Sequence, residues 1–324
     1  MKMTLAAVAL CAGLAVPQLL LAENWKMASG YPDQNYLTQT VRDFIDEVET
    51  ATDGVLQITL HNNQSLVKLQ DIPAAVRRNQ VQLGQVYAAN LGNQNAIFTL
   101  DAIPFLAPDD TAALKLWDAQ KPYLETWFAG QGSRLLFAQF FPPQGFYTKT
   151  QVNSAADLAG LNMRIYSDAT QNMASALKAK PLQVQFGEVP QAFATGLVNA
   201  MFTSPQTGID VQAWDFTDHY NLVGAMRTKV LVVVNEDAFS GLTEDQQKAV
   251  LAAADKAMIE GIALSNRVTE EQLKTLEDNG ITVTRASESF KAELDRIGEA
   301  MTAQWAEAAD AEQRAVLDAY LASK

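Results

Sequence analysis

The chain has 324 residues, 48% of them hydrophobic and 19% charged, which is enough to bury a sizeable core and long enough for two domains. Its formal net charge of −13 argues against nucleic acid as a partner and requires a local cationic pocket for any anionic ligand. The single cysteine, Cys11, falls in an N-terminal leader, so a processed chain has no thiolate for zinc or for nucleophilic catalysis.

That leader is residues 1–22, MKMTLAAVALCAGLAVPQLLLA, with a lysine at position two, an apolar stretch and Ala22 ahead of the first acid. It reads as a secretory signal peptide and is set apart from the fold. Pro17 and a length barely sufficient to span a bilayer argue against a permanent anchor.

Beyond it the elements alternate. A short strand over Asn24–Ala28 precedes a helix whose Leu37, Val41, Phe44, Ile45 and Val48 form one stripe and which stops at Gly54. VLQITL predicts a strand, DIPAAVRRNQ a helix and VQLGQVYAA a strand, which together suggest a lobe with a largely parallel sheet. A loop-rich stretch leads to the helix TAALKLWDAQKPYLETWFAGQ and the strand RLLFAQF. FFPPQGFYT, with two prolines and a glycine, predicts a hinge.

The alternation then restarts with LNMRIYS as a strand, ATQNMASALKA as a helix, PLQVQF as a strand, EVPQAFATG as a short helix and VNAMFTS as a strand. IDVQAWDFTD predicts a helix and KVLVVVN a buried strand. A very long helix follows from residue 242 to 280, with Thr243 and Gln246 as its capping box. ITVTRA and a final helical region close the chain. The expected fold is α/β, two-lobed, with a ligand cleft between lobes that exchange strands and are tied by long helices. The expected division puts 23–147 plus about 230–260 in lobe I and 148–229 plus about 261–324 in lobe II.

Motifs for chemistry are missing. There is no G-x-x-x-x-G-K-[ST], no G-x-G-x-x-G after a strand, no G-x-S-x-G and no H-E-x-x-H. The two histidines, His61 and His219, lie far apart and read as surface residues. The acid pairs Asp109-Asp110 and Glu270-Glu271 read as solvated faces. No catalytic residue, metal ligand or cofactor site is assigned, and the chain is not expected to be an enzyme.

What stands out is Arg164, inside the strand LNMRIYS. A buried arginine is rare unless paired, and its planar fork suits a carboxylate held through two parallel hydrogen bonds. The competing reading is an internal ion pair with Asp168 or Glu188.

The run Ser154–Thr203 resembles the DctP-like solute-binding subunits of tripartite ATP-independent periplasmic (TRAP) transporters. The resemblance is carried by Asp157-Leu158, Gly160-Leu161, Arg164, Glu188-Val189, Thr195-Gly196 and Val198, in order, and extends to the long helix begun by LTEDQQKAVLAAA. It implies a periplasmic protein that closes around an organic acid through an arginine at position 164 and delivers it to an ion-coupled membrane permease. An ATP-driven importer is the rival destination. The chain departs from the family pattern in two places: the hinge segment carries no second arginine, and Asn199-Ala200 replaces the usual D-G. A monocarboxylate such as a sugar acid, a hydroxy or keto acid or an aromatic acid is therefore favoured over a C4-dicarboxylate, with Lys68, in the loop after the second strand, as the cation that would rescue the latter. The resemblance leaves open a metal ion bridging the carboxylate and the oligomeric state.

Further cleft candidates sit at strand ends: Tyr31 after the first strand, Tyr87 and Asn90 after the third, Phe186 at the end of PLQVQF, and Thr203 and Ser204 at the end of VNAMFTS. Gln144 lies at the hinge, while Trp25 and Trp214 read as core.

Overall fold

The computed structural model describes residues 23–324; the expected leader and Cys11 lie outside them. The first half runs β1 (Glu23–Ala28), α1 (Tyr36–Ala51), β2 (Leu56–His61), α2 (Ile72–Arg77), β3 (Leu83–Tyr87), α3 (Asp110–Gly130) and β4 (Ser133–Phe140). Then come β5 (Gly145–Thr148), β6 (Asn162–Ile165), α4 (Asp168–Ala176), β7 (Lys180–Gln183), α5 (Val189–Ala194), β8 (Ala200–Thr203), α6 (Pro205–Asp210) and β9 (His219–Leu222). The chain closes with β10 (Lys229–Asn235), α7 (Glu236–Gly241), α8 (Glu244–Asp278), β11 (Thr282–Arg285), α9 (Glu288–Ala308) and α10 (Ala311–Ser323).

Two sheets organise these elements. The first has the order β2-β1-β3-β10-β4 and the second β11-β9-β5-β8-β6-β7. In the first, β1 is parallel to β2 and β3, but β10 runs antiparallel to both β3 and β4. This sheet is thus mixed rather than largely parallel, because the returning strand is inserted between β3 and β4. Its helix α1 forms as the stripe requires: Leu37, Val41, Phe44 and Val48 are fully buried, and the Asn35 side chain accepts from the Leu37 amide at 2.8 Å as the N-cap.

Three local expectations are corrected, and one strand is added. GFYT is not part of an irregular turn but the strand β5, paired on both sides in the second sheet. Phe186 does not end a strand; it opens a 3-10 turn three residues beyond the end of β7. The helix after β8 begins earlier than IDVQAWDFTD, at Pro205 with Ser204 as its cap, and ends at Asp210, just before a left-handed Gln212 breaks the chain direction. The strand β9, HYNL, was not anticipated.

The chain crosses between the sheets at 141–144 and 223–228, so β5 lies beyond the first crossing and the division falls before Gly145 rather than at 147. Helix α8 spans both lobes, packing on α1 and β4 of the first and on α6 and β11 of the second. Its N-terminus carries the expected reciprocal cap between Thr243 and Gln246. Of the acids at the start of α3, Asp109 is exposed and accepts from the Ala112 amide at 2.8 Å as the N-cap, whereas Asp110 is half-buried and pairs with the buried Arg227. Among the described residues no helix is long and apolar enough to cross a membrane.

The C-terminal segment does not stay with lobe II. In α9, Phe290 stacks on Phe146 of the second sheet at 6.0 Å, while Trp305 Nε1 donates to the Ala96 carbonyl of lobe I at 3.0 Å. Helix α10 packs on α3, and Tyr320 donates to the Leu106 carbonyl at 2.6 Å. Gly298 lets α9 approach this closely, since a Cβ there would overlap the Pro104 carbonyl. Gly298→Ala is expected to cost about 1 to 3 kcal/mol in urea unfolding, the size of an overpacked contact. An unchanged midpoint would show that α9 shifts without penalty.

Candidate functional site

The strand ends and the two crossovers converge on one cavity, with about 480 Å³ of empty space that is partly open to solvent. Eight of the nine residues singled out in the sequence line it: Tyr31, Tyr87, Asn90 and Gln144 from lobe I and the first crossover, Arg164, Phe186, Thr203 and Ser204 from lobe II. Lys68 does not. It is exposed at the start of a 3-10 turn, and its neighbour Leu69, buried, takes the place at the wall.

Arg164 sits on β6 and is only 4% exposed. No carboxylate lies within ion-pair distance among the described residues, and Asp168 and Glu188, the candidate internal partners, are both exposed. Its Nε donates to the Val184 carbonyl at 3.0 Å and its Cζ lies 4.8 Å from the centre of the Tyr166 ring. The terminal nitrogens have no hydrogen-bond partner among the described residues. Burial, with no acid to offset it, lowers the guanidinium to about 10, still protonated at neutral pH. A desolvated cation with its fork unused has the chemistry to take an anion.

Around it the cavity is aromatic. Tyr31 meets Phe141 edge-on at 5.8 Å and Phe186 at 6.1 Å, and Tyr87 meets Phe141 at 6.1 Å and Tyr166 at 5.6 Å. Burial pushes the Tyr166 phenol up to about 12 and the Tyr31 and Tyr87 phenols well up, so all three stay neutral. Asn90 makes no side-chain hydrogen bond among the described residues, which leaves both its amide donor and its acceptor free. Ser204 is partly committed: its Oγ caps α6 through the Thr207 amide at 3.1 Å.

Six lining residues were missed: Leu69, Phe141, Tyr166, Gln185, Thr207 and Thr228. Tyr166 carried a signal, because it is two residues beyond Arg164 and side chains at i and i+2 share a strand face. Thr228, from the second crossover, carried none.

A family profile described as bacterial extracellular solute-binding protein, family 7 (DctP), matches residues 27–311. The chain belongs to the DctP family. Among solved structures it is 41% identical to DctP7 of Bordetella pertussis, an extracytoplasmic solute receptor binding pyroglutamic acid, covering 93% of this chain and 100% of that one with a TM-score of 0.90. It is 33% identical to a TRAP solute-binding protein specific for pyroglutamate from an unidentified marine microbe, covering 93% and 99% with a TM-score of 0.89. Among curated relatives, the 2,3-diketo-L-gulonate-binding periplasmic protein YiaO of Escherichia coli K12 is 24% identical over 72% of this chain and 71% of its own. This DctP-family protein is accordingly a TRAP-type solute receptor and not an enzyme, and its two-lobed α/β fold is that of the family.

Proposed function

We propose that this protein captures a small monocarboxylate, pyroglutamate above all, and delivers it to an ion-coupled TRAP permease after export by its leader. The observation that carries the reading is Arg164, buried in the cavity with its terminal nitrogens unpaired and with no second cation in the lining. One fork matches one carboxylate. A C4-dicarboxylate would leave its second charge among Tyr31, Phe141 and Phe186, since Lys68 faces solvent. The uncommitted carboxamide of Asn90 complements a lactam, whose N–H and C=O lie on the same side and match an amide's acceptor and donor. Two similar receptors bind pyroglutamate, which is an acid and a lactam in one ring.

The test is calorimetric and thermal titration of residues 23–324, refolded from guanidinium to strip any acid carried from expression. L-pyroglutamate is compared with its amide, L-proline, succinate and galacturonate. At 100 times the dissociation constant the ligand adds about 2.7 kcal/mol, a rise of several degrees. Pyroglutamate is expected to give that rise and its amide none. Silence for pyroglutamate with a rise for succinate or galacturonate would overturn the assignment. Asn90→Leu is expected to weaken pyroglutamate by about tenfold, the loss of a paired amide contact.

A further inference from the structure

Gln144 belongs to the cavity, yet both ends of its amide are already engaged. Its Oε1 accepts from the Tyr166 hydroxyl at 2.8 Å, and its Nε2 donates to Thr228 Oγ1 at 2.9 Å. Those two bonds hold the plane of the amide between the two hydroxyls. Each hydroxyl can donate or accept, so both ends of the amide are engaged in either sense of the carboxamide. The Tyr166 ring, held by that hydroxyl, lies against the guanidinium of Arg164.

Resting on the reading that Arg164 takes a ligand carboxylate, we propose that Thr228, Gln144 and Tyr166 form a positioning relay for it, with Gln144 serving the anchor rather than acting as a separate ligand contact. Among the described residues Arg164 has no acid to orient it, and besides donating to the Val184 carbonyl it lies against that ring. The relay roots this ring in both crossovers. The main-chain carbonyl of Gln144 accepts from the Val223 and Gly224 amides at 3.2 and 2.9 Å, and the main-chain carbonyl of Thr228 accepts from the Phe141 amide at 2.9 Å. The anchor on lobe II is thereby tied to the two segments in which the chain passes between the lobes. A preorganised donor group binds more tightly because less ordering remains to be done on binding.

The test is a double-mutant cycle with two readouts. In ligand-free protein, solvent exchange of the Arg164 Nε–H is followed by proton–nitrogen NMR, with the signal assigned by Arg164→Lys. Tyr166→Phe, which keeps the ring, and Gln144→Met, which keeps the length, are each expected to speed exchange by about tenfold, and the double variant by no more than about twofold beyond either. Thr228→Val enters the same relay from its far end should Gln144→Met unfold. Titration with L-pyroglutamate is expected to show the same pattern, about tenfold weaker for each single variant and little further for the pair. Unchanged exchange in the single variants, or losses that multiply in the double, would overturn the relay and make Gln144 an independent contact. A wild type that ignores pyroglutamate would instead refute the ligand, while the exchange arm still decides the relay.

Discussion

Replacing Arg164 by methionine is expected to weaken acid binding at least a hundredfold, about 2.7 kcal/mol, while leaving the ligand-free protein as stable as before or more so. The two halves of this result come from one feature. In the ligand-free protein the guanidinium is buried with a single hydrogen bond among the described residues, from Nε, and burial already lowers its protonation equilibrium to about 10. Such a cation is a cost to folding until an anion arrives, and a methionine of similar length fills its space without that cost. With ligand present the same desolvation strengthens the pair, since truncating one partner of a buried charge pair typically costs about 2 to 5 kcal/mol. Arg164→Ala should lose as much affinity but also leave a void. Calorimetry gives the affinity and guanidinium unfolding the stability. A ligand-free Arg164→Met destabilised by more than about 1 kcal/mol would mean that the arginine is a structural element instead.

Much of this site was legible in the sequence because strand ends of an open α/β sheet converge on its cleft. Tyr31, Tyr87, Asn90, Thr203 and Ser204 were placed by that rule alone, and the cavity contains them all. Lys68 failed by one position. The loop after β2 enters its 3-10 turn with Lys68 extended, at φ −68° and ψ 146°, and this sends Leu69 inward and the lysine out. No periodicity marks such a turn. The direction of β10 was equally hidden: KVLVVVN is buried along its whole length, so its pattern is the same whether it runs with its neighbours or against them. The polar partners in the crossovers were illegible for a different reason. Gln144 meets Thr228 across 84 residues, and a hydrogen bond at that separation leaves no trace in local pattern. Helix α1 and the Thr243–Gln246 cap were readable because their determinants lie within a few turns of chain.

The largest stability effect is expected one residue beyond Thr228, at Lys229. Its side chain is 2% exposed at the start of β10, and its Nζ lies 3.2 Å from Asp101 Oδ2 and donates to Gln120 Oε1 at 2.8 Å. Asp101 Oδ2 also accepts from the Lys229 amide at 2.8 Å, so the pair fastens the start of β10 to the 3-10 helix Ala96–Ala102 that precedes α3. Desolvation raises the Asp101 carboxyl and lowers the Lys229 ammonium, with each partner working against that shift in the other. Lys229→Met leaves the carboxylate buried without a countercharge, with only the position-229 amide still donating to its Oδ2 and with Oδ1 lacking a hydrogen-bond partner among the described residues. Removing one member of such a pair costs about 3 to 5 kcal/mol. The loss should shrink on acidification. A carboxyl whose folded pKa is raised contributes stability below that pKa and loses it as pH rises through it, so the unpaired Asp101 penalises Lys229→Met most at pH 8 and less at pH 5. Adding Asp101→Asn removes the charge and keeps an acceptor for the Lys229-position amide, and should recover more than half of the loss and flatten the pH profile. Urea unfolding of the three proteins between pH 5 and 8 decides it. A deficit in Lys229→Met that is equal at both pH values and untouched by Asp101→Asn would place the cost in packing against Phe140, whose ring centre is 5.9 Å from Nζ, rather than in the orphaned charge.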